Sequence, residues 1–413
     1  MDTTYTYPKL RWPLDIHLHS AGDDHALVVR CPLGITERPL LLVPAVAPII
    51  STFDGAQSFQ QILDHFSPQG LDESTLTELI RLLDEHRFLA NTRFFATEKE
   101  IRDSFAASPT RVAALAGLGY PNTPESLKQL VSGYLVPYHP AVLGRELVAL
   151  VSPHIDYRRG GSCYGEVYPR LAESPADLYV VIGTAHQYSR NLFHLCAKDF
   201  ESPLGTLSCD VPFVTQVAHR HGITRAFQDE FLHKREHSLE LQLPFLKTLK
   251  PHAKIVPILV GSFHSMLAHN RYPHEWEEYT SFASALAELI GERSALGSKV
   301  CFIAGVDMAH IGRSFGDEGA LSQEKMTEIA QRDSEYLAAI EAHDKKRLFD
   351  HMAEDCDARR MCGFPTLYTL LDVIDLLGWR TECCTVKYGQ AVDYVADCAV
   401  TFAGMAIYRD AET

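Results

Sequence analysis

The chain has 413 residues, of which 46% are hydrophobic and 22% are charged. This is ordinary usage for a globular protein and excludes a disordered or collagen-like chain. Asp and Glu total 53 against 38 Lys and Arg, which gives a formal net charge of −15. So acidic a chain lacks the basic footprint that nucleic acid or an anionic membrane surface requires, so we expect neither as a partner.

The sequence predicts a cytoplasmic protein. Residues 1–20 are polar and show no apolar core of a signal peptide. The longest apolar stretch, residues 39–50, is broken by Pro44 and Pro48 and is shorter than the ~20 residues of a membrane helix. The ten Cys include no C-x-x-C pair, so we expect reduced thiols.

The first part of the chain, residues 1–96, is predicted to be a small α+β module. Apolar runs at 26–32 and 39–43 predict a short β-hairpin. Ser58 and Gln61 have the spacing of a capping box and begin a helix with apolar residues at helical intervals.

A second helix is predicted further on, with Thr75 and Glu78 as its possible capping box. Residues 87–95 then predict a closing pair of strands, the wing of a winged-helix-like module. Residues 97–109 predict a linking helix that Pro109 ends.

The second part, residues 110–413, alternates strand and helix patterns and is predicted to be an α/β domain. Four short apolar runs predict buried parallel strands, at residues 147–151, 178–182, 254–260 and 300–305. Each run is followed by a histidine, in chain order His154, His186, His264 and His310. Ligands bind beyond the carboxyl ends of the strands in open α/β sheets, so these positions predict a site.

A metal site is the hypothesis that this pattern favours, because neutral imidazole is the commonest protein ligand for metals. The joint pattern is strongest for His154, His186 and His310. Asp307 could complete a two-His-one-carboxylate set, as in iron oxygenases. Cys362 could instead supply a thiolate, because it begins a predicted helix whose N-terminus would lower the thiol pKa. The spacing does not choose between them.

Residues 236–240 read Glu-His-Ser-Leu-Glu and form a further candidate site segment. His237 and Glu240 are one turn apart if the segment is helical, so we expect both to face one site. Either Glu236 or Glu240 could orient a ligand histidine. The alternative is a helix start whose acidic residues complement the helix dipole.

The N-terminal module resembles recognition modules of the PqqD type. The resemblance rests on the Phe53-Asp54-Gly55 turn, the Ser58-Phe59 helix start and the Leu82–Leu89 stretch. It implies that the module binds a peptide or a partner protein rather than DNA. The alternative is a structural extension of the main domain.

Residues 110 to 410 resemble the Memo family, also called AmmeMemoRadiSam system protein B. Seven strings carry the resemblance, in this order: Ala116-Gly117-Leu118-Gly119-Tyr120-Pro121, Pro153-His154-Ile155-Asp156-Tyr157, Gly183-Thr184-Ala185-His186, Pro203-Leu204-Gly205 with Asp210, Glu236-His237-Ser238-Leu239-Glu240 with Leu243-Pro244-Phe245, Asp307 with His310-Ile311-Gly312, and Cys362-Gly363. The departures from the family are Asp156, Gln187 and Phe364-Pro365, in place of Gly, His and Arg-His.

The Memo resemblance implies a fold shared with class III extradiol dioxygenases. It also implies a metal held by His154, His186 and Cys362, with Asp307 and His310 lining the pocket. The metal would be copper or iron, and zinc also suits such ligands. A radical SAM protein and an AMMECR-type protein are the implied companions.

Three functions follow from the sequence as hypotheses. The leading one is a copper- or iron-dependent redox enzyme in which His310 moves a proton, with Asp307 and His237 as further catalytic residues. The second is a non-enzymatic adapter or metal carrier whose N-terminal module docks a partner. The third is zinc-assisted hydrolysis.

Overall fold

A computed structural model describes residues 5–21, 24–36, 38–138 and 145–410. The chain divides into two units, Met1–Ser108 and Pro109–Thr413. None of the helices in these described ranges is long and apolar enough to cross a bilayer.

The first unit combines a three-stranded antiparallel sheet with helices. Its strands are β1 (Asp15–Ala21), β2 (Asp24–Arg30) and β3 (Leu40–Leu42), in the order β1-β2-β3. Its helices are α1 (Ala47–Ile50), α2 (Phe59–Phe66), α3 (Glu73–Glu85) and α4 (Thr92–Ala107). The predicted hairpin is confirmed as β2 and β3. The strand β1 was not predicted, although its alternating Ile16, His17 and Leu18 carry the two-residue period of a strand.

The N-termini of two helices in this unit test the two predicted capping boxes. The capping box of α2 is confirmed, since Ser58 Oγ accepts from the Gln61 N–H and the Gln61 side chain accepts from the Ser58 N–H. The predicted box at Thr75 and Glu78 is wrong, because α3 begins one turn earlier. There Asp72 caps the helix by accepting from the Thr75 N–H at 2.7 Å.

The predicted closing pair of strands at residues 87–95 is also wrong. Leu89 forms one isolated bridge to Leu10, and α4 begins at Thr92. Asn91 caps that helix by accepting from the Phe94 N–H at 2.9 Å, which fixes this stretch as a helix start. The helix expected at 97–109 is therefore the continuation of α4, within the first unit.

The second unit is a mixed α/β fold around one large sheet. Its strands are β4 (Thr110–Arg111), β5 (Arg145–Ser152), β6 (Leu178–Thr184), β7 (Phe193–Leu195), β8 (Asp199–Phe200), β9 (Ser208–Cys209), β10 (Lys254–Val260), β11 (Val300–Gly305), β12 (His310–Ile311), β13 (Thr381–Asp393) and β14 (Cys398–Asp410). Its helices are α5 (Pro124–Tyr134), α6 (Tyr157–Val167), α7 (Val211–His221), α8 (Ile223–Phe227), α9 (His237–Glu240), α10 (Leu243–Leu249), α11 (His264–Ala268), α12 (Glu277–Ala295), α13 (Gln323–Glu341), α14 (Lys345–Ala353) and α15 (Phe364–Leu376).

The central sheet has the strand order β12-β14-β5-β11-β6-β10-β7, with β13 paired to β14 and β9 to β10. The four predicted strands are confirmed as the parallel set β5, β11, β6 and β10. They read as continuous apolar runs because both faces of the sheet are buried, one by each of two hydrophobic clusters.

The register of the parallel strands sets the position of the site. Gly305 at the end of β11 pairs with Ser152 of β5 and with Gly183 of β6. The three strands therefore end at the same edge of the sheet. The residues that follow them converge there, as the rule for ligand sites in α/β sheets predicts.

Candidate metal centre

His154 follows β5 and is oriented by two hydrogen bonds, one from its ring and one from its backbone N–H. Its Nδ1 lies 3.0 Å from the Gly305 carbonyl oxygen, so Nδ1–H donates there and Nε2 keeps its lone pair. Its own N–H donates to Asp307 Oδ1 at 2.9 Å. Burial of the ring lowers the pKa of His154 well below its usual value, helped by the neighbouring His186 and His237. A neutral imidazole of this kind is what a metal ion binds.

Glu236 orients the other two histidines from the N-cap of α9. Its Oε1 lies 2.9 Å from His186 Nδ1 and 3.2 Å from His237 Nδ1. It also accepts from the Ser238 N–H at 3.0 Å. Burial alone would raise the pKa of the Glu236 carboxyl, but His186 and His237 hold it well below its usual range. The carboxylate thus binds Nδ1 of His186 and leaves Nε2 of the same ring free for a ligand.

The two histidines beside Glu236 differ in charge. Burial would lower the pKa of His186, but Glu236 and Cys362 outweigh burial and raise it well above its usual value. For His237, burial prevails over the Glu236 charge and lowers the pKa to about 4. His237 is therefore neutral near pH 7, whereas the neighbouring Glu236 favours the protonated form of His186.

The short helix α9 reaches the sheet edge because β11 ends in Gly305 and β6 has Gly183 next to its last residue. A Cβ on Gly305 would lie 2.2 Å from the Ser238 carbonyl oxygen, and one on Gly183 would lie 2.4 Å from Ser238 Oγ. Ser238 Oγ donates to the Thr184 carbonyl at 3.0 Å. Gln242 Nε2 donates to the Pro153 carbonyl at 2.9 Å. These contacts place His237 next to the histidines that follow β5 and β6.

The three histidines form a cluster that could hold a metal ion. One ring nitrogen from each of His154, His186 and His237 lies within 4.8 Å of the others. The ring centroids are 4.8 Å apart for His154 and His186, and 5.1 Å apart for His154 and His237. His186 and His237 stack at 4.5 Å. Sequence reasoning had placed His237 among the catalytic residues, and the geometry adds it to the candidate ligands.

Cys362 joins this cluster from the start of α15. Its Sγ lies 3.3 Å from His154 Nε2, and its carbonyl accepts from Thr184 Oγ1 at 3.0 Å. The expectation that the helix N-terminus lowers its thiol pKa is wrong. Burial raises the pKa of the Cys362 thiol, and the interaction with His186 only partly offsets burial.

Asp307 supports the cluster from the loop after β11. Its Oδ1 accepts from the N–H groups of His154 and Ile155 at 2.9 and 3.1 Å. Its Oδ2 lies 3.7 Å from His154 Nε2. Burial raises the pKa of Asp307 to about 7, although the two N–H groups oppose the shift. The carboxyl is thus fixed by one oxygen and faces the histidines with the other.

His310 and His264 lie around this cluster. His310 Nδ1 is 3.0 Å from the Met308 carbonyl and 3.1 Å from the Arg360 carbonyl, so its Nε2 is the free nitrogen. Burial lowers the pKa of His310. His264 is exposed and lines a cavity of about 230 Å³ whose wall also contains His186 and Cys362.

Glu240 does not face the cluster, and the expectation that it shares a site with His237 is wrong. Its carboxylate is fully buried on the other side of α9, where it pairs with Arg111. It also accepts from the N–H groups of Ala114 and Leu115 at 3.0 and 2.8 Å, and from the Tyr120 hydroxyl. Sequence reasoning missed Arg111, since nothing near it in the chain marks a buried ion pair.

The departures from the Memo strings take structural positions. Asp156 caps α6 by accepting from the Arg159 N–H at 3.2 Å, and it pairs with the Arg159 side chain at 2.5 Å. Phe364 is buried against Phe263, with ring centroids 5.9 Å apart. It thus gives the cavity beside Cys362 an apolar wall.

Known proteins of one family are similar to most of this chain. The chain is 26% identical over 410 residues to a MEMO1 family protein of Aquifex aeolicus, covering 97% of this chain and 100% of that protein. A MEMO1 family protein of Archaeoglobus fulgidus is 31% identical over 283 residues, covering 68% of this chain and 93% of its own. One of Methanosarcina mazei is 27% identical over 292 residues, covering 70% and 94%. The family model for Memo-like protein matches residues 111–406, so the chain belongs to the Memo-like protein family.

Proposed function

We propose that this chain is a metal-dependent redox enzyme that binds iron or copper beyond the ends of its parallel strands. The observation that carries the proposal is the convergence of His154 and His186 with their Nδ1 atoms bonded outward, to Gly305 and Glu236. This arrangement fixes the tautomer and aims both Nε2 atoms at one point, as metal sites require. The resemblance to class III extradiol dioxygenases belongs to the same proposal.

The third ligand we propose is Cys362. Its Sγ is 3.3 Å from His154 Nε2. Two ligand atoms bound tetrahedrally at about 2.0 and 2.3 Å lie about 3.5 Å apart, so this pair has the spacing of a shared ion. The ring nitrogens of His154, His186 and His237 all lie within 4.8 Å of one another. We assign His237 to the substrate side of the centre, because Cys362 already has ligand spacing to His154. Three protein ligands leave a position open for a small molecule.

Bound iron or copper would supply one-electron chemistry at this position, whereas zinc would supply only polarisation of water or a carbonyl. Around it, His310 offers a free Nε2 that can accept or return a proton, because its Nδ1–H is held by backbone carbonyls. His237 is a second neutral base, with a pKa of about 4. The Asp307 carboxyl, with a pKa of about 7, holds His154 in place through its N–H.

The metal content of the purified chain tests this proposal. We expect about one equivalent of iron or copper by elemental mass spectrometry, and loss of it in His154→Ala/Cys362→Ala. If zinc is the only metal found, zinc-assisted hydrolysis replaces redox chemistry as the proposed function. The absence of any metal after aerobic and anaerobic reloading would refute the proposal.

The matched pair Cys362→Ser and His237→Ala assigns the third ligand. We expect Cys362→Ser to lose most of the metal, because it removes a ligand. We expect His237→Ala to keep the metal but lose turnover of any substrate found. The reverse result would make the three histidines the ligand set.

A second candidate function is an adapter whose first unit docks a peptide or protein partner, in the manner of winged-helix-like PqqD-type modules. It is favoured by exposed apolar side chains on this unit, with Trp12 69% and Leu18 and Leu41 each 64% exposed. The radical SAM and AMMECR-type proteins are the proposed partners. Leu18→Asp/Leu41→Asp in the full chain should abolish their co-purification while leaving metal content unchanged. Equal co-purification of the variant would refute this role.

A further inference from the structure

Cys31 lies in the first unit, away from the metal centre in sequence, and its sulfur is surrounded by hydrogen-bond donors. The free thiol follows β2 and is half-buried. The Ile35 N–H donates to its Sγ at 3.3 Å. The Thr36 N–H and the Arg11 guanidinium also act on the sulfur. Such a set of donors is suited to a negative charge rather than to a neutral thiol.

Arg11 supplies the second, independent observation. The residue is only 4% exposed, and its guanidinium is fixed by Nε donating to the Arg87 carbonyl and Nη1 donating to the Pro13 carbonyl. It also stacks over Phe94, with 4.7 Å between Cζ and the ring centroid. Its Nη2 is buried and makes no hydrogen bond within the described ranges of the chain.

Two donors at this place therefore lack an acceptor. Besides Arg11 Nη2, the hydroxyl of Thr36 is buried and without a partner among the described residues. Buried donors are rarely left unsatisfied in native proteins, so each such donor calls for an acceptor. The Cys31 sulfur, on which Arg11 and the Thr36 N–H act, is an acceptor in this neighbourhood.

The balance of effects on the thiol points the same way. Burial alone would raise the pKa of Cys31, but the Thr36 N–H, the Arg11 charge and the Ile35 N–H outweigh burial and lower it. Arg11 is a charged side chain that acts on this sulfur. Cys362 shows the opposite outcome, with a raised pKa in its buried position.

We propose that Cys31 is a peroxide-reactive thiolate, a modification site separate from the metal centre. The sulfur attacks one oxygen of hydrogen peroxide, so that an S–O bond forms as the O–O bond breaks. Sulfur gives up two electrons, and the departing hydroxide takes a proton from solvent and leaves as water. The product is a sulfenic acid on Cys31, whose oxygen lies among the donors described above.

The test uses the full chain with limiting hydrogen peroxide at pH 6.5, dimedone as the trap for sulfenic acid, and peptide mass spectrometry. Cys356 and Cys384 are internal controls, because both are exposed. We expect Cys31 to be trapped several-fold more than either control, even though it is less exposed. Equal or greater trapping at Cys356 or Cys384 would overturn the proposal.

The pH dependence of iodoacetamide alkylation gives a readout that does not depend on access. We expect the midpoint for Cys31 below the ~8.5 of an ordinary thiol, and a midpoint at or above that value would overturn the proposal. Arg11→Gln should raise the midpoint and Arg11→Lys should keep most of the effect. If Arg11→Gln fails to fold, the wild-type midpoint decides the question alone.

Discussion

The buried pair of Arg111 and Glu240 gives the sharpest test of what holds the candidate metal centre in place. Both side chains are 0% exposed. Besides Glu240, the Arg111 guanidinium donates to the carbonyls of His233, Val112 and Glu236, at 2.9, 3.1 and 3.1 Å. Arg111 thus ties the start of the domain to both ends of the segment that carries His237.

Replacing Arg111 with Met leaves the Glu240 carboxylate buried without its countercharge. Breaking a buried pair in this way costs about 3–5 kcal/mol. The N–H groups of Ala114 and Leu115 and the Tyr120 hydroxyl still donate to Glu240, so we expect the lower half of that range. This is a large share of the roughly 5–15 kcal/mol by which native proteins are stable.

The assay is urea unfolding followed by tryptophan fluorescence in a Trp12→Phe background. The chain has three Trp, and the other two, Trp276 and Trp379, lie in the second unit. The control is Arg225→Met, which removes an exposed pair with Glu277 and should cost at most about 1 kcal/mol. A loss below 1 kcal/mol for Arg111→Met, or one equal to the control, would refute the reasoning.

Three further predictions concern the centre and its support. Glu236→Gln should weaken metal affinity about 10- to 100-fold in equilibrium dialysis, because it removes the carboxylate that orients His186 and His237; unchanged affinity would contradict that role. Gly305→Ala should destabilise the second unit and displace α9, because the added Cβ would clash with the Ser238 carbonyl. Gly291→Ala should instead stabilise the unit by about 1 kcal/mol, because the space around its Cβ in α12 is open. Similar thermal melts for both variants would contradict this. Burial lowers the pKa of His221 to about 4, so the unfolded chain binds its proton first as the pH falls. Stability should therefore drop between about pH 6.5 and 4, and His221→Asn should make that drop smaller in pH-dependent urea titrations. An unchanged drop in the variant would contradict this.

Sequence reasoning found the parallel strands because burial on both faces makes them continuous apolar runs. It missed β13, whose side chains are mostly half-buried and mix polar with apolar residues, and also β14, although β14 is buried like the parallel strands. The four histidines were recognised because each follows one of these apolar runs. The strand register, which no local pattern encodes, then brings His154 and His186 together.

The roles within residues 236–240 could not be settled from spacing. Glu236 is the N-cap of α9, a helix of only four residues. From this position its side chain contacts both His186 and His237. Glu240 lies on the same turn but packs against a segment more than a hundred residues earlier. The pKa of Cys362 was misjudged because its burial depends on the packed site, which sequence does not reveal.

The length of chain between the proposed ligands has a consequence for folding. Cys362 and His154 are 208 positions apart, and the strands β6, β10 and β11 of the central sheet lie between them in the chain. The unfolded chain would have to close a loop of that length to bring the two together, at an entropic cost. An ion bound there would therefore favour the native second unit over the unfolded chain, and its occupancy would report whether that unit has folded.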